Sequence, residues 1–526
     1  MKWWQNAAVY QVYPRSFNDS NNDGIGDLPG VNQKLDYLCD LGIDAIWISP
    51  FYPSPLIDGG YDIADPRDVA TDLGGLVAID DLIKNAKAKN IKVIIDLVPN
   101  HVSSSHRWFI EAVQSAPGSH ARKRFHFQDG KGENGELPPN NWISLFGGSA
   151  WTQIESSDQT PGQWYLHVFD KSQPDLNWTN KEVITDFDQT LRFWLDRGVA
   201  GFRVDVALGL CKDMNYPDDL NPQKRVDAIR LDLYDPVNQD SSEELRKFLI
   251  DSPIFDRDEV HTIYQHWQEI FTEYDRDVLG VAEAWAYPTA RAMEYAKSLG
   301  QVFNFDFMVM PFDAAILAGT INQILETSIE YNSDPTWVLS NHDASRVVSR
   351  FGGGLDGLQK ARSMAMLAHF LPGSIYVYQG EELGLEDVLI PAEERKDPIW
   401  INSGNTQTGR EGARAPIPWE IANSQSAEPL STLNLYRWLL QLRKDHPAWQ
   451  VVSSQTTHRV DGARLEVARG ASARCIVNTS DKPIDVPTSV GEVVLAHSSS
   501  LNEVKQVAGR INLPKFTAVI VENSGK

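Results

Sequence analysis

Three short apolar segments of the sequence end in side chains that could do covalent and acid–base chemistry. GFRVDVA carries Arg203 and Asp205, GVAEAW carries Glu283, and WVLSNHD carries His342 and Asp343. A carboxylate beside a guanidinium is a candidate nucleophile, and a carboxyl group among apolar neighbours has the raised pKa that suits a general acid. Two carboxyl groups in such different surroundings are the equipment of glycoside hydrolysis.

Each of these groups also has a simpler interpretation. Arg203 and Asp205 are two residues apart, so they share one face of a strand and could form a buried ion pair without catalytic work. In the functional interpretation, Arg203 holds Asp205 ionised. A lone Glu283 could be solvated at a rim. A metal site built on the histidines and carboxylates is a further alternative, but these groups lie on separate strands without metal-ligand spacing.

Apolar strand segments alternate with amphipathic helices along most of the chain. This order predicts parallel pairing through helical crossovers. The segments are AVYQVYP, IDAIWISP, IKVIIDLVPNH, VAGFRVDVA, VLGVAEAW, VFNFDFM, TWVLSNHD and GSIYVYQGEE. Eight such units predict a closed (β/α)8 TIM barrel, whose active site lies at the carboxyl ends of the strands. The competing doubly wound sheet needs a glycine-rich turn after its first strand, which PRSFNDSNNDGIGD does not resemble.

Two polar insertions and a change of pattern divide the chain. Residues 103–172 follow the third strand and predict a small inserted domain, and residues 212–258 form a second insertion after the fourth. From residue 452 onward, short alternating segments predict an antiparallel β-sandwich. We therefore expect a catalytic barrel over 1–102 and 173–451, an inserted domain over 103–172 and a C-terminal domain over 452–526.

The composition narrows the class of partner. A net charge of −23 disfavours nucleic acid and anionic membranes as partners. Three widely spaced cysteines predict neither a disulfide framework nor a zinc site. No apolar run is long enough for a signal peptide or a membrane helix. We expect a cytoplasmic monomer or small homo-oligomer that binds a small molecule and uses no organic cofactor.

The segment DSNNDGIGD, residues 19–27, carries oxygen ligands at near-alternate positions around a glycine. This spacing resembles the first half of a calcium loop. The closing glutamate of an EF-hand is absent, since Gly30 holds its place. The alternative interpretation is a turn rich in Asx side chains without a metal.

Taken in order, DLVPNH, GFRVDVA, VAEAW and WVLSNHD resemble the four sequence regions of the α-amylase family, glycoside hydrolase family thirteen. QPDLNW resembles its additional region. Together with DPIW and REGARAPIPW, it is most similar to the α-glucosidase and oligo-1,6-glucosidase branch, in particular its actinobacterial-type α-glucosidases. The resemblance covers nearly the whole chain. It implies a retaining exo-acting α-glucosidase that releases glucose from the non-reducing end of short α-glucosides.

The resemblance also implies residue roles. Asp205 matches the nucleophile, Glu283 the general acid/base and Asp343 the transition-state stabiliser. The residues that match contacts to the glucosyl ring and its non-reducing end are Tyr61, Asp62, His101, Phe169, Gln173, Arg203, His342 and Arg410, with Asp62 and Arg410 as the pair that closes the pocket. The matching ligands of a structural Ca²⁺ or Mg²⁺ are Asp19, Asn21, Asp23, Asp27 and the carbonyl of Ile25.

Linkage preference depends on Val206, which follows the nucleophile. In similar glucosidases, Val at this position accompanies α-1,6 cleavage and Thr accompanies α-1,4, yet the actinobacterial-type enzymes carry Val and act on maltose-like substrates. We expect α-1,4-linked short saccharides, with α-1,6 links also cleaved. An oligo-1,6-glucosidase is one alternative. A transglucosylase or trehalose synthase that uses the same covalent intermediate is another, since FYPSPLIDGGYDIAD also resembles the trehalose synthase branch.

Overall fold

The computed structural model describes residues 2–155, 162–234, 242–451, 453–489, 491–500, 506–507 and 509–523. The strands within these ranges are β1 (Ala8–Val12), β2 (Ala45–Ile48), β3 (Lys92–Leu97), β4 (Phe127–Gln128), β5 (Trp151–Gln153), β6 (Trp164–Leu166), β7 (Gly201–Val204), β8 (Leu279–Ala282), β9 (Gly300–Val302), β10 (Thr336–Val338), β11 (Ser374–Tyr378), β12 (Thr456–Asp461), β13 (Arg464–Arg469), β14 (Ala473–Asn478), β15 (Ile484–Pro487), β16 (Glu492–His497), β17 (Gln506–Val507), β18 (Arg510–Leu513) and β19 (Ala518–Asn523).

The α-helices alternate with the parallel strands. They are α1 (Pro14–Phe17), α2 (Leu28–Gln33), α3 (Leu35–Leu41), α4 (Gly75–Ala88), α5 (Arg107–Gln114), α6 (Lys181–Arg197), α7 (Pro222–Tyr234), α8 (Ser242–Arg246), α9 (Val260–Thr272), α10 (Thr289–Leu299), α11 (Phe305–Met308), α12 (Ala314–Glu330), α13 (Val347–Arg350), α14 (Gly354–Phe370), α15 (Pro398–Asn402), α16 (Trp419–Ala427) and α17 (Thr432–Asp445). Within the described ranges, none of these helices has the length and apolar character needed to cross a membrane.

Eight parallel strands form the central sheet, in the order β10-β11-β1-β2-β3-β7-β8-β9. The two end strands meet through side chains. The hydroxyl of Thr336 on β10 donates to the carbonyl of Val302 on β9 at 2.7 Å, and the Asn304 amide donates back to the Thr336 carbonyl at 2.9 Å. The sheet is therefore a nearly closed barrel, and the predicted (β/α)8 fold is confirmed.

Helix α6 shows how local sequence aims a barrel strand at the site. It begins at the cap Asn180, whose side-chain oxygen accepts from the Glu182 amide at 2.9 Å, and it ends at Gly198 in the left-handed region with φ 103°. Its buried face includes Phe187 and Trp194. Because the helix packs its apolar stripe on the barrel and stops sharply, the chain turns directly into β7, which carries Arg203.

The sixth strand is shorter than its sequence pattern indicates. VFNFDFM predicts a strand through residue 308, but β9 ends at Val302 and Phe305–Met308 form α11. The side chain of Asn304 bonds the backbone of Thr336 and so takes the place of a further ladder hydrogen bond. Phenylalanines spaced two residues apart can fill the core from a strand or from a short helix. Their spacing therefore did not identify a strand.

Two further sheet regions flank the barrel. Within the insertion after β3, β4, β6 and β5 form a three-stranded antiparallel sheet. At the C-terminal end, an antiparallel sheet of β12, β13, β14, β19 and β16 packs on a second sheet of β15, β18 and β17. Apolar side chains from both sheets meet in one cluster, including Ile476 and Val521 from the first and Val486 and Ile511 from the second. The predicted C-terminal sandwich is confirmed.

Candidate active site

The guanidinium of Arg203, on strand β7, contacts three carboxyl groups at the carboxyl end of the barrel. Its Nη1 lies 2.8 Å from Asp96 and 2.5 Å from Asp205, and its Nη2 lies 2.7 Å from Glu283. Asp96 is the register partner of Arg203 on β3, and Glu283 directly follows β8. The parallel register of three neighbouring strands therefore gathers two candidate catalytic carboxyl groups around one buried cation.

Asp96, Asp205 and Glu283 share the single positive charge of the Arg203 guanidinium. Burial raises the pKa of Asp205 well above its ordinary value, although Arg203 opposes the shift, and burial likewise raises the pKa of Glu283 against the same guanidinium. Arg203 favours the ionised form of Asp205, as the sequence predicts, but the same guanidinium is shared with Asp96 and Glu283. The cluster retains a proton at a higher pH than isolated carboxyl groups would, which places one acid and one base side by side.

The peptide after Asp205 holds Glu283 in place. The backbone N–H of Val206 donates to Oε2 of Glu283 at 3.0 Å, and the N–H of Ala207 donates to the Glu283 carbonyl at 2.8 Å. Val206 has φ 44°, which is strained for a β-branched residue. The strained backbone aims an amide at the acid, so the segments that carry the two carboxyl groups are locked together.

Asp343 lies among positive and polar groups on the other side of the site. Arg410 and Arg414 contact its Oδ1 at 3.0 and 2.8 Å, and Nε2 of His342 lies 3.0 Å from its Oδ2. Burial alone would raise the pKa of Asp343, but His342 and the two arginines bring it well below its ordinary value. Asp343 is therefore an ionised carboxylate, which suits the stabilisation of positive charge at a sugar ring.

His342 is neutral and has a defined tautomer. Burial lowers its pKa to about 4. Because Asp343 only accepts, Nε2 carries the proton, and Nδ1 accepts from the amide of Gln11 at 2.7 Å. Tyr61 stacks on the imidazole, with ring centroids 5.1 Å apart, and its hydroxyl donates to Asp96 at 2.9 Å. These contacts connect the aromatic platform to the carboxyl cluster.

The partner of Arg410 is Asp58 and not the predicted Asp62. Nη2 of Arg410 lies 2.5 Å from Asp58, whose other oxygen accepts from the Gln173 amide at 3.0 Å. Asp62 is fully buried and accepts from the Ser54 hydroxyl at 2.8 Å, so it holds the preceding turn together. Asp58 and Asp62 both lie within IDGGYD, and sequence spacing alone did not distinguish the binding residue from the turn residue.

One pocket brings most of the predicted residues together. Its lining residues are Asp58, Tyr61, His101, Phe146, Phe169, Asp205, Val206, Glu283, Trp285, Asp343 and Arg410. The predicted residues Arg203, Gln173 and His342 lie directly behind this lining and contact it.

Two aromatic residues of the lining were not predicted. Phe146 lies in the insertion and packs beneath the Arg410 guanidinium, 5.2 Å from its ring centroid. Trp285 lies two residues after Glu283, and its indole N–H has no hydrogen-bond partner in the part of the chain that the structure describes. The motif VAEAW already contained Trp285, so its position next to the acid was the available signal.

The loop at residues 19–27 presents only oxygen donors from side chains, which is the chemistry that Ca²⁺ and Mg²⁺ prefer. Asp19 accepts from the Gly24 amide at 2.8 Å, and Asp27 caps helix α2 by accepting from Gly30 at 2.6 Å. The side-chain amide nitrogen of Asn21 donates to Oδ2 of Asp23 at 3.0 Å. Among the described residues, no group of three or more His, Cys, Asp or Glu side chains is arranged to hold a metal ion. The donor types fit a hard cation, and metal binding stays a prediction.

Buried carboxyl groups gathered at the carboxyl end of a (β/α)8 barrel have the arrangement that a glycoside hydrolase requires. The model of the alpha-amylase catalytic domain matches residues 11–451, so the chain belongs to the alpha-amylase family, as its motifs predicted.

Individual relatives agree with this assignment. The chain is 34% identical over 504 residues to an oligo-1,6-glucosidase of Parageobacillus thermoglucosidasius, with 84% of each chain covered. It is 35% identical over 423 residues to an alpha-glucosidase of Apis mellifera, covering 79% of this chain and 70% of that one. The crystal structure of an alpha-glucosyl transfer enzyme, XgtA, superimposes with a TM-score of 0.85 at 31% identity, covering 99% of this chain and 100% of the other.

Proposed function

We propose that the protein is a retaining exo-acting α-glucosidase that releases glucose from maltose and short malto-oligosaccharides and also cleaves α-1,6 links. The observation that carries the proposal is the attachment of Asp205 and Glu283 to the two arms of one guanidinium. Carboxyl groups held side by side in this way favour the retaining spacing of about 5–5.5 Å over the wider spacing of inverting enzymes.

The mechanism is a double displacement in which Asp205, Glu283 and Asp343 have distinct tasks. Asp205 attacks the anomeric carbon while Glu283 gives its proton to the departing glycosidic oxygen, and a covalent glucosyl-enzyme forms. Glu283, now ionised, takes a proton from water, and the water oxygen displaces Asp205 from the same carbon. Asp343 stays ionised and offsets the positive charge of the oxocarbenium-like transition states.

The fixed wall of the pocket supports action at chain ends. Arg410 is held by Asp58 at 2.5 Å and by Asp397 at 2.7 Å, and all three residues are buried. A wall fixed by two ion pairs leaves a closed end that would accept the non-reducing glucosyl unit and stop the chain there. The names oligo-1,6-glucosidase and alpha-glucosidase of two relatives support short α-glucosides as substrates.

Transfer of the glucosyl unit to a second sugar is the alternative outcome of the same intermediate. The similarity to an alpha-glucosyl transfer enzyme favours it as a second candidate. Product analysis of a maltose digest separates the two: glucose as the sole product supports hydrolysis, whereas trehalose or longer saccharides would show transfer.

Linkage preference is tested by exchanging Val206, which lines the pocket beside Glu283. Val206→Thr introduces a hydroxyl at nearly constant shape, and we expect the maltose-to-isomaltose ratio of kcat/KM to rise about 3- to 10-fold, the value of one hydrogen bond. Val206→Ala removes methyl groups without adding a hydroxyl and is the matched control. An equal change in both variants would contradict a role for the hydroxyl.

We propose that the loop at residues 19–27 binds Ca²⁺ as a structural ion, supported by its oxygen-only side chains. Millimolar Ca²⁺ is then expected to raise the Tm of the metal-stripped enzyme by about 3 °C or more. Asp23→Ala should abolish that shift, whereas Asp81→Ala, on the exposed face of α4, should preserve it. A Tm that is unchanged by added Ca²⁺ and by a chelator would contradict the proposed metal site.

We also propose a cytoplasmic location for a monomer or small homo-oligomer. Support comes from Cys39, Cys211 and Cys475, each a free thiol in the structure. Such thiols persist most readily in a reducing compartment. Fractionation of the native host with an activity assay on maltose tests the location, and an activity found outside the cell would contradict it.

A further inference from the structure

Arg414 is a second arginine that contacts Asp343. Its Nη2 donates to Oδ1 of Asp343 at 2.8 Å, and its Nε donates to the backbone carbonyl of His342 at 2.8 Å. The chain makes one turn between Arg410 and Arg414, because the Arg414 amide donates to the Arg410 carbonyl at 3.3 Å. Residues four apart in such a turn lie on one face. Both guanidinium groups therefore reach the same carboxylate.

The two arginines differ in their other contacts. Arg410 also forms ion pairs with Asp58 and Asp397, so its charge is divided among three carboxylates. Within the described ranges, Arg414 contacts no carboxylate other than Asp343. It also does not line the catalytic pocket formed by these ranges. The direct charge contact of Arg414 is therefore dedicated to Asp343, from a position behind the pocket.

The two arginines also determine which oxygen of Asp343 can face a substrate. Nη1 of Arg410 donates to Oδ1 at 3.0 Å, and this is the same oxygen that accepts from Arg414. An ionised carboxylate oxygen accepts about two hydrogen bonds, so these donors use the capacity of Oδ1. Oδ2 lies 3.0 Å from Nε2 of His342 and keeps a further acceptor site. Oδ2 is consequently the atom that can face a sugar ring.

The surroundings of Arg414 restrict its guanidinium. The side chain is 10% exposed, and its guanidinium carbon lies 5.5 Å from the ring centroid of Tyr13. On another side, a Cβ at Gly59 would lie 2.5 Å from Nη1 of Arg414, so the turn approaches closely only because residue 59 is glycine. The Tyr13 hydroxyl donates to the Gly59 carbonyl at 2.7 Å and joins these two neighbours. An arginine confined in this way can hold a carboxylate in one orientation.

We propose that Arg414 is a positioning residue that fixes the orientation of the Asp343 carboxylate, with Oδ2 toward the reacting sugar ring. The sugar in this statement rests on the proposed function, whereas the orientation follows from the contacts of the free protein. Arg410 cannot take over this task, because its Nε and Nη2 hold Asp397 and Asp58. Since Asp343 offsets charge in the transition state, Arg414 should act on kcat more than on substrate binding.

Arg414→Met removes both hydrogen bonds while it keeps a side chain of similar length. We expect kcat on maltose to fall about 10- to 100-fold, the range for a hydrogen bond to a charged group. KM should change by less than about 3-fold, because Arg410 stays paired with Asp58. A loss that appears mainly in KM would contradict the proposal.

A double-mutant cycle tests whether Arg414 acts through Asp343. In the Asp343→Asn background, Arg414→Met should lower the residual kcat by less than about 3-fold. Equal losses in both backgrounds would overturn the positioning role and leave Arg414 a structural residue. Arg362→Met is the matched control, because this buried arginine bonds the Ser498 carbonyl and the Thr432 hydroxyl. Its effect should be the same in both backgrounds.

Arg414→Lys keeps the positive charge and provides a second route, should Arg414→Met not fold. An ammonium is a point charge and lacks the planar fork that bonds the His342 carbonyl and Asp343 together. We expect kcat about 3- to 10-fold below that of the wild type, with KM nearly unchanged. A wild-type kcat in Arg414→Lys would overturn the positioning role.

Crystallography of the free protein tests the orientation without any substrate. In the wild type, Oδ1 of Asp343 should face both arginines. In Arg414→Met or Arg414→Lys, the carboxylate should be rotated or should occupy two orientations, and an unchanged carboxylate would overturn the proposal. A protein that cleaves no α-glucoside would refute the proposed function, while the diffraction result would still decide whether Arg414 orients Asp343.

Discussion

Asp205→Asn is expected to lower kcat for maltose hydrolysis by roughly 10⁴-fold or more, because an amide cannot form the glucosyl-enzyme. The substitution preserves the size of the side chain and its oxygen contact with Arg203. Circular dichroism and Tm check the fold, and single-turnover kinetics give the rate.

The control for Asp205→Asn uses a substrate whose leaving group departs without protonation by a general acid. α-Glucosyl fluoride has a good leaving group, so it should bypass protonation but not the missing nucleophile, and Asp205→Asn should stay inactive on it. In the wild type, proton NMR should show α-glucose as the first anomer released. Initial release of the β-anomer, or wild-type rates in Asp205→Asn, would rule out the double displacement.

Glu283→Gln is expected to lower kcat on maltose by roughly 10³-fold, since general acid catalysis is lost. Its first step should remain fast with α-glucosyl fluoride, so a glucosyl-enzyme should accumulate and be visible by mass spectrometry. Deglycosylation should be slow because Glu283 also activates the water. A variant that fails equally on maltose and on the fluoride would contradict the assignment of Glu283 as the acid.

The pH profile gives a second measurement on the same residue. Burial raises the pKa of Glu283, so its proton persists to a higher pH than for an exposed glutamate. Wild-type activity should then fall as the pH rises through this raised pKa. In Glu283→Gln, the residual activity on α-glucosyl fluoride should lack that alkaline decline. A decline that remains would assign it to another group.

The barrel was predictable because eight apolar segments repeat with helices between them, and the catalytic carboxyl positions were predictable because the motifs end those strands. The sharing of the Arg203 charge among three carboxyl groups was not predictable from the sequence. The sequence shows Arg203 two residues from Asp205, but the contacts of the same guanidinium with Asp96 and Glu283 come from neighbouring strands. The pKa of Asp205 depends on all of these groups and on burial.

The contacts of loop residues were the hardest to predict from the sequence. Asp58 and Asp62 are the same residue type in one short turn, and only the folded loop shows that Asp58 reaches Arg410. The ion pair of Lys212 with Asp175 and its hydrogen bond to Asn100 were similarly hidden, because these partners are distant in sequence. Contacts between loops depend on chain geometry that periodicity does not encode.

The shared arginine of the pocket wall makes recognition and chemistry inseparable. Arg410 contacts Asp58 and Asp397 in the wall, and it also contacts Asp343, the carboxylate at the reacting ring. A double-mutant cycle between Asp58 and Asp343 should therefore be strongly non-additive. Substitutions in the pocket wall that admit another sugar would also change the contacts of Asp343 and so lower the catalytic rate. Substitutions at Val206 or Trp285 leave the ion pairs of Arg410 intact. New acceptor preferences are consequently more accessible to mutation than a new glycosyl unit.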